Sequence, residues 1–315
     1  MPTLVRPPLK EARSRIFDSA RWEPYRPRPD DIIIGTYSKC GTTWMQRIVG
    51  MLIFRDTEPR PVSSISHWPD ARFTLPLETM WALAEAQTRR RFFKSHLPLD
   101  LLPLYEGVKY IHVGRDGRDA ALSLHNHIAN FTSAAFAERD EISLHDPKYG
   151  DRYPRAADDP AVFFHNWLEG DHAGNAPDMS FFQVERSYWH ERCRENVLLV
   201  HYNDLKVDRS TEMKRIAAFL GIEISQALWP NLVEAAGFDA MKRASETIVS
   251  FAQDSLHGGS AQFLNKGTTG RWREIFSRAD LAAYEARVRV EFTRSLARWV
   301  EHGRLVAGDP CAAPD

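Results

Sequence analysis

The chain of 315 residues has few cysteines and no excess of charge of either sign. Its three cysteines, Cys40, Cys193 and Cys311, are scattered and lack the paired spacing of a zinc site or a disulfide framework. This pattern excludes a cysteine-stapled secreted domain and favours a reducing cytoplasm. The 41 Lys and Arg residues nearly balance the 42 Asp and Glu residues. Without a global field that would attract nucleic acid or an anionic membrane, any anion site must be local.

Long apolar segments are absent as well. No run approaches the roughly 18 residues that a membrane span requires, and the N-terminus MPTLVRPPLKEARSR has no apolar core of signal-peptide length. We therefore expect a cytoplasmic protein. No repeat, low-complexity tract or shift in composition marks a second domain. The expected organisation is one domain over residues 31–305, with an extended, poorly structured segment 1–30 before it and a tail 306–315 after it.

What the sequence does contain is an alternation of strand and helix patterns. The predicted strands are short apolar runs at residues 31–36, 109–115, 196–205 and 90–98. The strand over residues 90–98 is the least clear of them. The predicted helices are residues 43–54, 118–130, 209–220 and about 278–302. Strands that alternate with helices predict an α/β fold, with a single doubly wound parallel sheet and helices on both of its faces.

Three long stretches without clear periodicity lie between these units, at residues 57–87, 131–160 and 245–270. Loops of this length in a compact domain usually serve as lids or binding loops, so we expect them to gate a substrate site. Their aromatic side chains suit an apolar or aromatic small molecule, and could equally pack their own loops. These residues are Trp68, Phe73, Trp81, Phe131, Phe136, Tyr149 and Phe251.

A turn rich in Gly, Ser and Thr, TYSKCGTTW, joins the first predicted strand to the first helix. At such a place the helix N-terminus offers free N–H groups and the positive end of its dipole, which suits a phosphate. The turn is not a Walker A loop, because Gly41 is followed by Thr42 and Lys39 precedes the glycine. Nor does a strand end in a Walker B aspartate, since Arg115 and Tyr202 stand at the next two strand ends. The pattern predicts an anion site without a metal.

Four segments together resemble the sulfotransferase family that uses 3′-phosphoadenosine 5′-phosphosulfate (PAPS). The turn TYSKCGTTW resembles the family's 5′-phosphosulfate loop, and YIHVGRDGRDAALSLHNH resembles its 3′-phosphate segment. NKGTTGRWREIFS is similar to its C-terminal Lys-Gly loop, and FKSHLP to the segment with a catalytic histidine. The resemblance implies a fold like that of P-loop NTPases. It also implies sulfuryl transfer from PAPS to a hydroxyl of a small organic acceptor by in-line displacement, no metal, and a homodimer as the default assembly.

The same resemblance assigns roles to individual residues. His96 would be the general base, because a neutral imidazole can accept the proton of the acceptor hydroxyl. Lys39 would neutralise the leaving oxygen, and Lys94 would assist at the sulfonate from the strand face of His96. Arg115 and Ser123 would bind the 3′-phosphate. Trp44 and Phe238 would stack on the adenine. The other residues in contact with the nucleotide would be Cys40, Gly41, Thr42, Thr43, Tyr202, Asn265, Lys266 and Gly267.

The sequence departs from the family's pattern at three places. Asn265 stands where the family typically has arginine, and Ala236 with Gly237 stands where many members have a Thr-Ser pair. Both changes are expected to weaken the nucleotide contacts. Cys40 stands where a serine or another small residue is common, and we expect its thiol to be a small buried filler rather than a nucleophile.

Other interpretations of these residues stay open at the level of sequence. Arg115 could instead pair with Asp116 or Asp119 at the surface. The whole chain could be a divergent P-loop kinase, whose sign would be binding of Mg-ATP. It could also be a non-catalytic protein that binds an adenine nucleotide, although the presence of both Lys39 and His96 argues against lost turnover.

Overall fold

The computed structural model describes residues 2–173 and 179–315, so Met1 of the predicted N-terminal segment lies outside the described residues. The strands are β1 (Leu4–Arg6), β2 (Ile32–Gly35), β3 (Ser66–His67), β4 (Phe92–Ser95), β5 (Leu104–Tyr105), β6 (Lys109–Gly114) and β7 (Val197–His201). Five of them form a central parallel sheet in the order β3-β4-β2-β6-β7, and β1 pairs with β5 in a small antiparallel sheet.

Helices cover both faces of this sheet. They are α1 (Thr42–Phe54), α2 (Val62–Ile65), α3 (Leu77–Ala86), α4 (Gly117–Ala129), α5 (Ser133–Leu144), α6 (Pro160–Ala173), α7 (Phe181–His190), α8 (Tyr202–Val207), α9 (Arg209–Leu220), α10 (Trp229–Ala235), α11 (Phe238–Arg243), α12 (Ser245–Ile248), α13 (Gly259–Phe263), α14 (Trp272–Ile275), α15 (Arg278–Glu291), α16 (Arg294–His302) and α17 (Arg304–Ala307). The predicted doubly wound α/β fold is confirmed.

The central strand β2 shows why its sequence is a continuous apolar run. Ile32 and Ile34 point into the core beneath α1 and α9, whereas Ile33 points into the core on the opposite face. All three side chains are fully buried. Successive strand residues alternate between faces, and a parallel strand that is covered on both sides must be apolar at every position.

Two predicted elements differ from those observed. The strand predicted over residues 196–205 ends at His201, because α8 starts at Tyr202. The single helix predicted over 278–302 is two helices, since Phe292 is extended and the hydroxyl of Thr293 caps α16 by accepting a hydrogen bond from Leu296 N at 3.3 Å. The apolar side chains of this region still pack on the core, where Phe292 and Leu296 are both buried.

The stretches expected to be long loops contain helices. Residues 57–87 include α2 and α3, residues 131–160 include α5, and residues 245–270 include α12 and α13. The N-terminal residues also depart from the prediction, because Phe17, Trp22 and Tyr25 are buried in the core and β1 pairs with β5. Tertiary contacts fix these segments, although their sequences carry little periodicity. The domain limits at residues 31 and 305 stay predictions.

A disulfide joins Cys193 to Cys311, whose Cα atoms are 5.0 Å apart. The spacing of the cysteines did not indicate this disulfide, because the fold brings together two residues 118 positions apart. Cys40 is fully buried, as expected of a small filler. Within residues 2–173 and 179–315, no helix is long and apolar enough to cross a membrane.

Candidate active site

A cavity of about 620 Å³ opens beyond the C-terminal ends of β2, β4 and β6. Of the fifteen residues predicted for the site, all except Cys40 line it. They are Lys39, Gly41, Thr42, Thr43, Trp44, Lys94, His96, Arg115, Ser123, Tyr202, Phe238, Asn265, Lys266 and Gly267. Residues up to 228 positions apart in sequence thus meet where ligands of open α/β sheets bind.

The turn between β2 and α1 is held in an uncommon backbone conformation. Lys39 has a φ of 66° although it is not glycine, and Gly41 has a φ of 110°. A Cβ at Gly41 would lie 3.0 Å from the ring of Tyr202, so a side chain there would be both strained and crowded. No side chain caps α1, which leaves the N–H groups of its first turn available to an anion.

Three cations converge beside this turn. Burial and the neighbouring charges of Lys94 and Arg115 together lower the pKa of Lys39 to about 7. The Lys39 ammonium lies 4.2 Å above the ring of Phe263. Like charges this close repel one another in a partly desolvated site, so the arrangement favours an anion between them.

Arg115 is buried at the strand end rather than at the surface, and of the two acidic partners left open by the sequence, Asp119 is near enough to interact with its charge. Its guanidinium donates to the carbonyls of Lys39 at 2.9 Å and Thr268 at 3.3 Å, and stacks on Tyr202 at 4.3 Å. Its Nε is buried without a hydrogen-bond partner. Asp116 pairs instead with Arg118 at 2.7 Å. A buried guanidinium with an unused donor fits a phosphate group.

Further cations at this end of the cavity were not found from the sequence. Lys206, Arg209 and Arg271 line it together with Lys266, and Lys206 donates to the carbonyl of Gly267 at 2.8 Å. Arg271 lies within the segment NKGTTGRWREIFS, which is the one signal that could have indicated it. The cluster of positive charge fits a ligand with more than one phosphate.

The aromatic residues assigned to the adenine, Trp44 and Phe238, line the same cavity. Trp44 donates its indole N–H to the carbonyl of Ala236 at 2.8 Å and contacts Tyr202 edge-on, with ring centroids 5.3 Å apart. Phe238 packs against Gly267, where a Cβ would lie only 2.5 Å from its ring. Glycine at 267 therefore permits the C-terminal loop to approach Phe238, and the resulting surface can take a flat base.

His96 follows directly on β4, and its two ring nitrogens have different roles. Nδ1 lies 2.8 Å from the carbonyl oxygen of Thr36, which can only accept, so Nδ1 carries the proton. Nε2 is then the basic nitrogen. Burial lowers the pKa of His96 well below its usual 6.5, and Lys94 and Lys39 lower it further. The imidazole is thus neutral at physiological pH and able to accept a proton.

Asp70 is a part of the site that sequence reasoning missed. Its fully buried carboxylate accepts hydrogen bonds from the backbone N–H of His96 at 3.0 Å, from Trp68 Nε1 at 3.1 Å and from Trp22 Nε1 at 3.2 Å. Trp68 in turn lies under the Lys94 ammonium, at 3.4 Å from the ring centroid. One carboxylate therefore holds the backbone of His96 and the ring beneath Lys94, and nothing in the motif HWPDARF indicates this.

The other end of the cavity is mainly aromatic. Trp68, Phe73, Phe131 and Phe251 line it, as the loop composition predicted. The remaining three aromatic residues of that prediction pack elsewhere. Trp81 packs on Trp22 and Tyr25, Phe136 packs on Phe131 and Arg155, and Tyr149 donates to the carbonyl of Arg13.

The chain belongs to the sulfotransferase family, because the sulfotransferase domain matches its residues 29–297. A glycolipid sulfotransferase of Mycobacterium bovis (strain BCG / Pasteur 1173P2) is 32% identical over 311 residues, which are 93% of this chain and 94% of that protein. Sulfotransferase 1A1 of Rattus norvegicus is 29% identical over 272 residues, 82% of this chain and 83% of its own length. The expected enzyme class is confirmed.

Solved structures agree with the fold. Retinol dehydratase in complex with androsterone and the inactive cofactor PAP superposes with a TM-score of 0.69 at 23% identity, over 88% of this chain and 84% of its own. Mouse sulfotransferase SULT7A1 complexed with PAP gives a TM-score of 0.63 at 19% identity, over 88% and 89%. At these identities the likeness establishes the fold.

Proposed function

We propose that the protein transfers a sulfuryl group from PAPS to a hydroxyl of a small, apolar acceptor, with His96 as the general base. The observation that carries this proposal is that a cationic site and a neutral imidazole lie side by side in one cavity. Lys39 and Arg115 form an under-compensated cationic site, and the neutral imidazole of His96 lies beside it. Sulfotransferase relatives and neighbours that hold PAP support it.

The donor fits the residues that line the cationic end. Lys39 and the N–H groups at the start of α1 would hold the 5′-phosphosulfate, and Arg115 with Ser123 would hold the 3′-phosphate. Trp44 and Phe238 would enclose the adenine. Asn265 supplies no positive charge, but Lys206, Lys266 and Arg271 line the same region and compensate for it.

When bound, PAPS supplies an activated sulfuryl group on a good leaving group. The protein's own part is mostly positioning and electrostatics. Nε2 of His96 accepts the hydroxyl proton, because Nδ1 is held by the carbonyl of Thr36. Lys39 stabilises negative charge at the bridging oxygen, and Lys94, placed over Trp68, does the same at the sulfonate. The aromatic end of the cavity holds an apolar acceptor and excludes water.

Nucleotide choice is the first test. Calorimetric titration with adenosine 3′,5′-bisphosphate should give a Kd of about 1 µM or tighter, as expected for several charge-assisted contacts. Mg-ATP should bind far more weakly, and stronger binding of Mg-ATP would favour the divergent kinase. PAPS is then offered with phenols, hydroxysteroids and glycolipids. Binding of the bisphosphate without transfer to any acceptor would favour the non-catalytic alternative. The homodimer and the cytoplasmic location stay predictions.

A further inference from the structure

The acceptor end of the cavity contains one buried guanidinium, that of Arg139 on α5. Only 7% of this residue is exposed, and it lines the cavity. The guanidinium is held between the rings of Phe73 and Phe131, at 4.3 Å from each centroid. Two aromatic faces and a hydrogen bond from Nη1 to the carbonyl of Ala135 at 2.6 Å fix its plane.

The charge of Arg139 is poorly compensated by the protein. Among the described residues, the nearest carboxylate is that of Glu138 at 3.8 Å, and 62% of the Glu138 side chain is exposed to water. The Nε of Arg139 is buried without a partner. Burial is also the main cause that lowers its pKa. Desolvated cations are normally paired with an anion. The part of the chain that the structure describes does not supply a buried anion for Arg139, so a ligand in the cavity can supply it.

Arg139 is separated from the transfer site by aromatic rings. The ring of His96 contacts Trp68 at 5.0 Å, Trp68 contacts Phe73 at 5.3 Å, and Phe73 lies under Arg139. The cations that bind the donor lie near the turn before α1, whereas Arg139 lies at the far end of this aromatic wall. An acceptor that reaches both the transfer site at His96 and the guanidinium of Arg139 must have an apolar middle.

We propose that Arg139 binds an anionic group of the acceptor, so that the acceptor carries its hydroxyl at one end, an oxyanion at the other, and an apolar or aromatic body between them. The inference rests on the proposed function and specifies the substrate class of that site. A purely structural Arg139 would leave the enzyme indifferent to charge on the acceptor.

The test compares acceptors that differ only in charge. The probes are (4-hydroxyphenyl)alkanoic acids of graded chain length, the primary amide of each, and the corresponding sulfonates. For each we measure kcat/KM with PAPS, and Kd in the presence of adenosine 3′,5′-bisphosphate. The variants are Arg139→Met, which keeps the length of the side chain, and Arg155→Met as the matched control. Arg155 stacks on Phe136 and pairs with Asp140, and it does not line the cavity.

At the best chain length, the acid should exceed its amide by about tenfold or more in kcat/KM and in affinity, since charge-assisted hydrogen bonds are the strong ones. Arg139→Met should remove that preference, measured as the ratio of acid to amide within the same variant, and Arg155→Met should keep it. A preference for carboxylate over sulfonate would identify a planar oxyanion. Equal use of acid and amide at every length, or a preference that survives in Arg139→Met, overturns the inference. Failure of the proposed function is distinct, because then either the bisphosphate would not bind or no acceptor, charged or neutral, would be sulfated.

Discussion

Binding of adenosine 3′,5′-bisphosphate should weaken as the pH rises from 7.5 to 9, and Lys39 is the reason. In the free protein, burial and the charges of Lys94 and Arg115 lower the pKa of Lys39 to about 7. A bound phosphate would favour the charged amine and return its pKa toward the usual value for lysine. The ligand therefore binds the protonated form, which becomes scarce in the free protein above pH 7.

The size of the effect follows from that pKa. If Lys39 titrates near 7 when free and returns to about 10.4, the usual value for lysine, when bound, the apparent Kd increases by about 20-fold between pH 7.5 and pH 9. At pH 8, binding should take up about 0.9 proton per site. The phosphate groups themselves lose their second proton near pH 6, so they contribute little to the change in this range.

Isothermal titration calorimetry in buffers of different ionisation enthalpy measures both quantities. Lys39→Met removes the titrating amine, so its Kd should be weaker at pH 7.5 and nearly flat up to pH 9. A wild-type Kd that does not change over this range, or an equally steep change in the variant, would refute the reasoning. The first result would mean that Lys39 is charged in the free site, and the second that another group takes up the proton.

Three other predictions concern His96, Asp70 and the disulfide. His96→Ala should lower kcat by about 10²- to 10⁴-fold and leave bisphosphate affinity unchanged; normal turnover would contradict the assignment. Asp70→Asn should lower the free energy of unfolding by about 1–3 kcal/mol in urea titrations, because its amide N–H₂ must face a donor; it should also lower kcat, and an unchanged kcat would remove its positioning role. Reduction of the Cys193–Cys311 disulfide should lower the free energy of unfolding by about 4–5 kcal/mol in urea titrations, since it frees a long loop. The stability of Cys193→Ser should not respond to reductant.

Much of the site was predictable because its parts are local in sequence. A turn that joins a buried strand to a helix fixes where backbone N–H groups point, and its residues from Thr36 to Trp44 are contiguous. His96 and Arg115 likewise follow short apolar strands, and the ends of neighbouring parallel strands meet at one edge of the sheet. Local pattern and strand order were therefore enough to bring these residues together.

The structure alone decided what depends on contacts between distant segments. The sequence could not show that the carboxylate of Asp70 holds both Trp68 and the backbone of His96, or that Cys193 meets Cys311. Nor could it show that Arg139 is buried between two aromatic rings. Aperiodic segments carry little information about their own conformation, and packing against the rest of the fold determines their shape. The sequence by itself thus determined the sheet and the anion turn, and tertiary packing determined the environment of each charge.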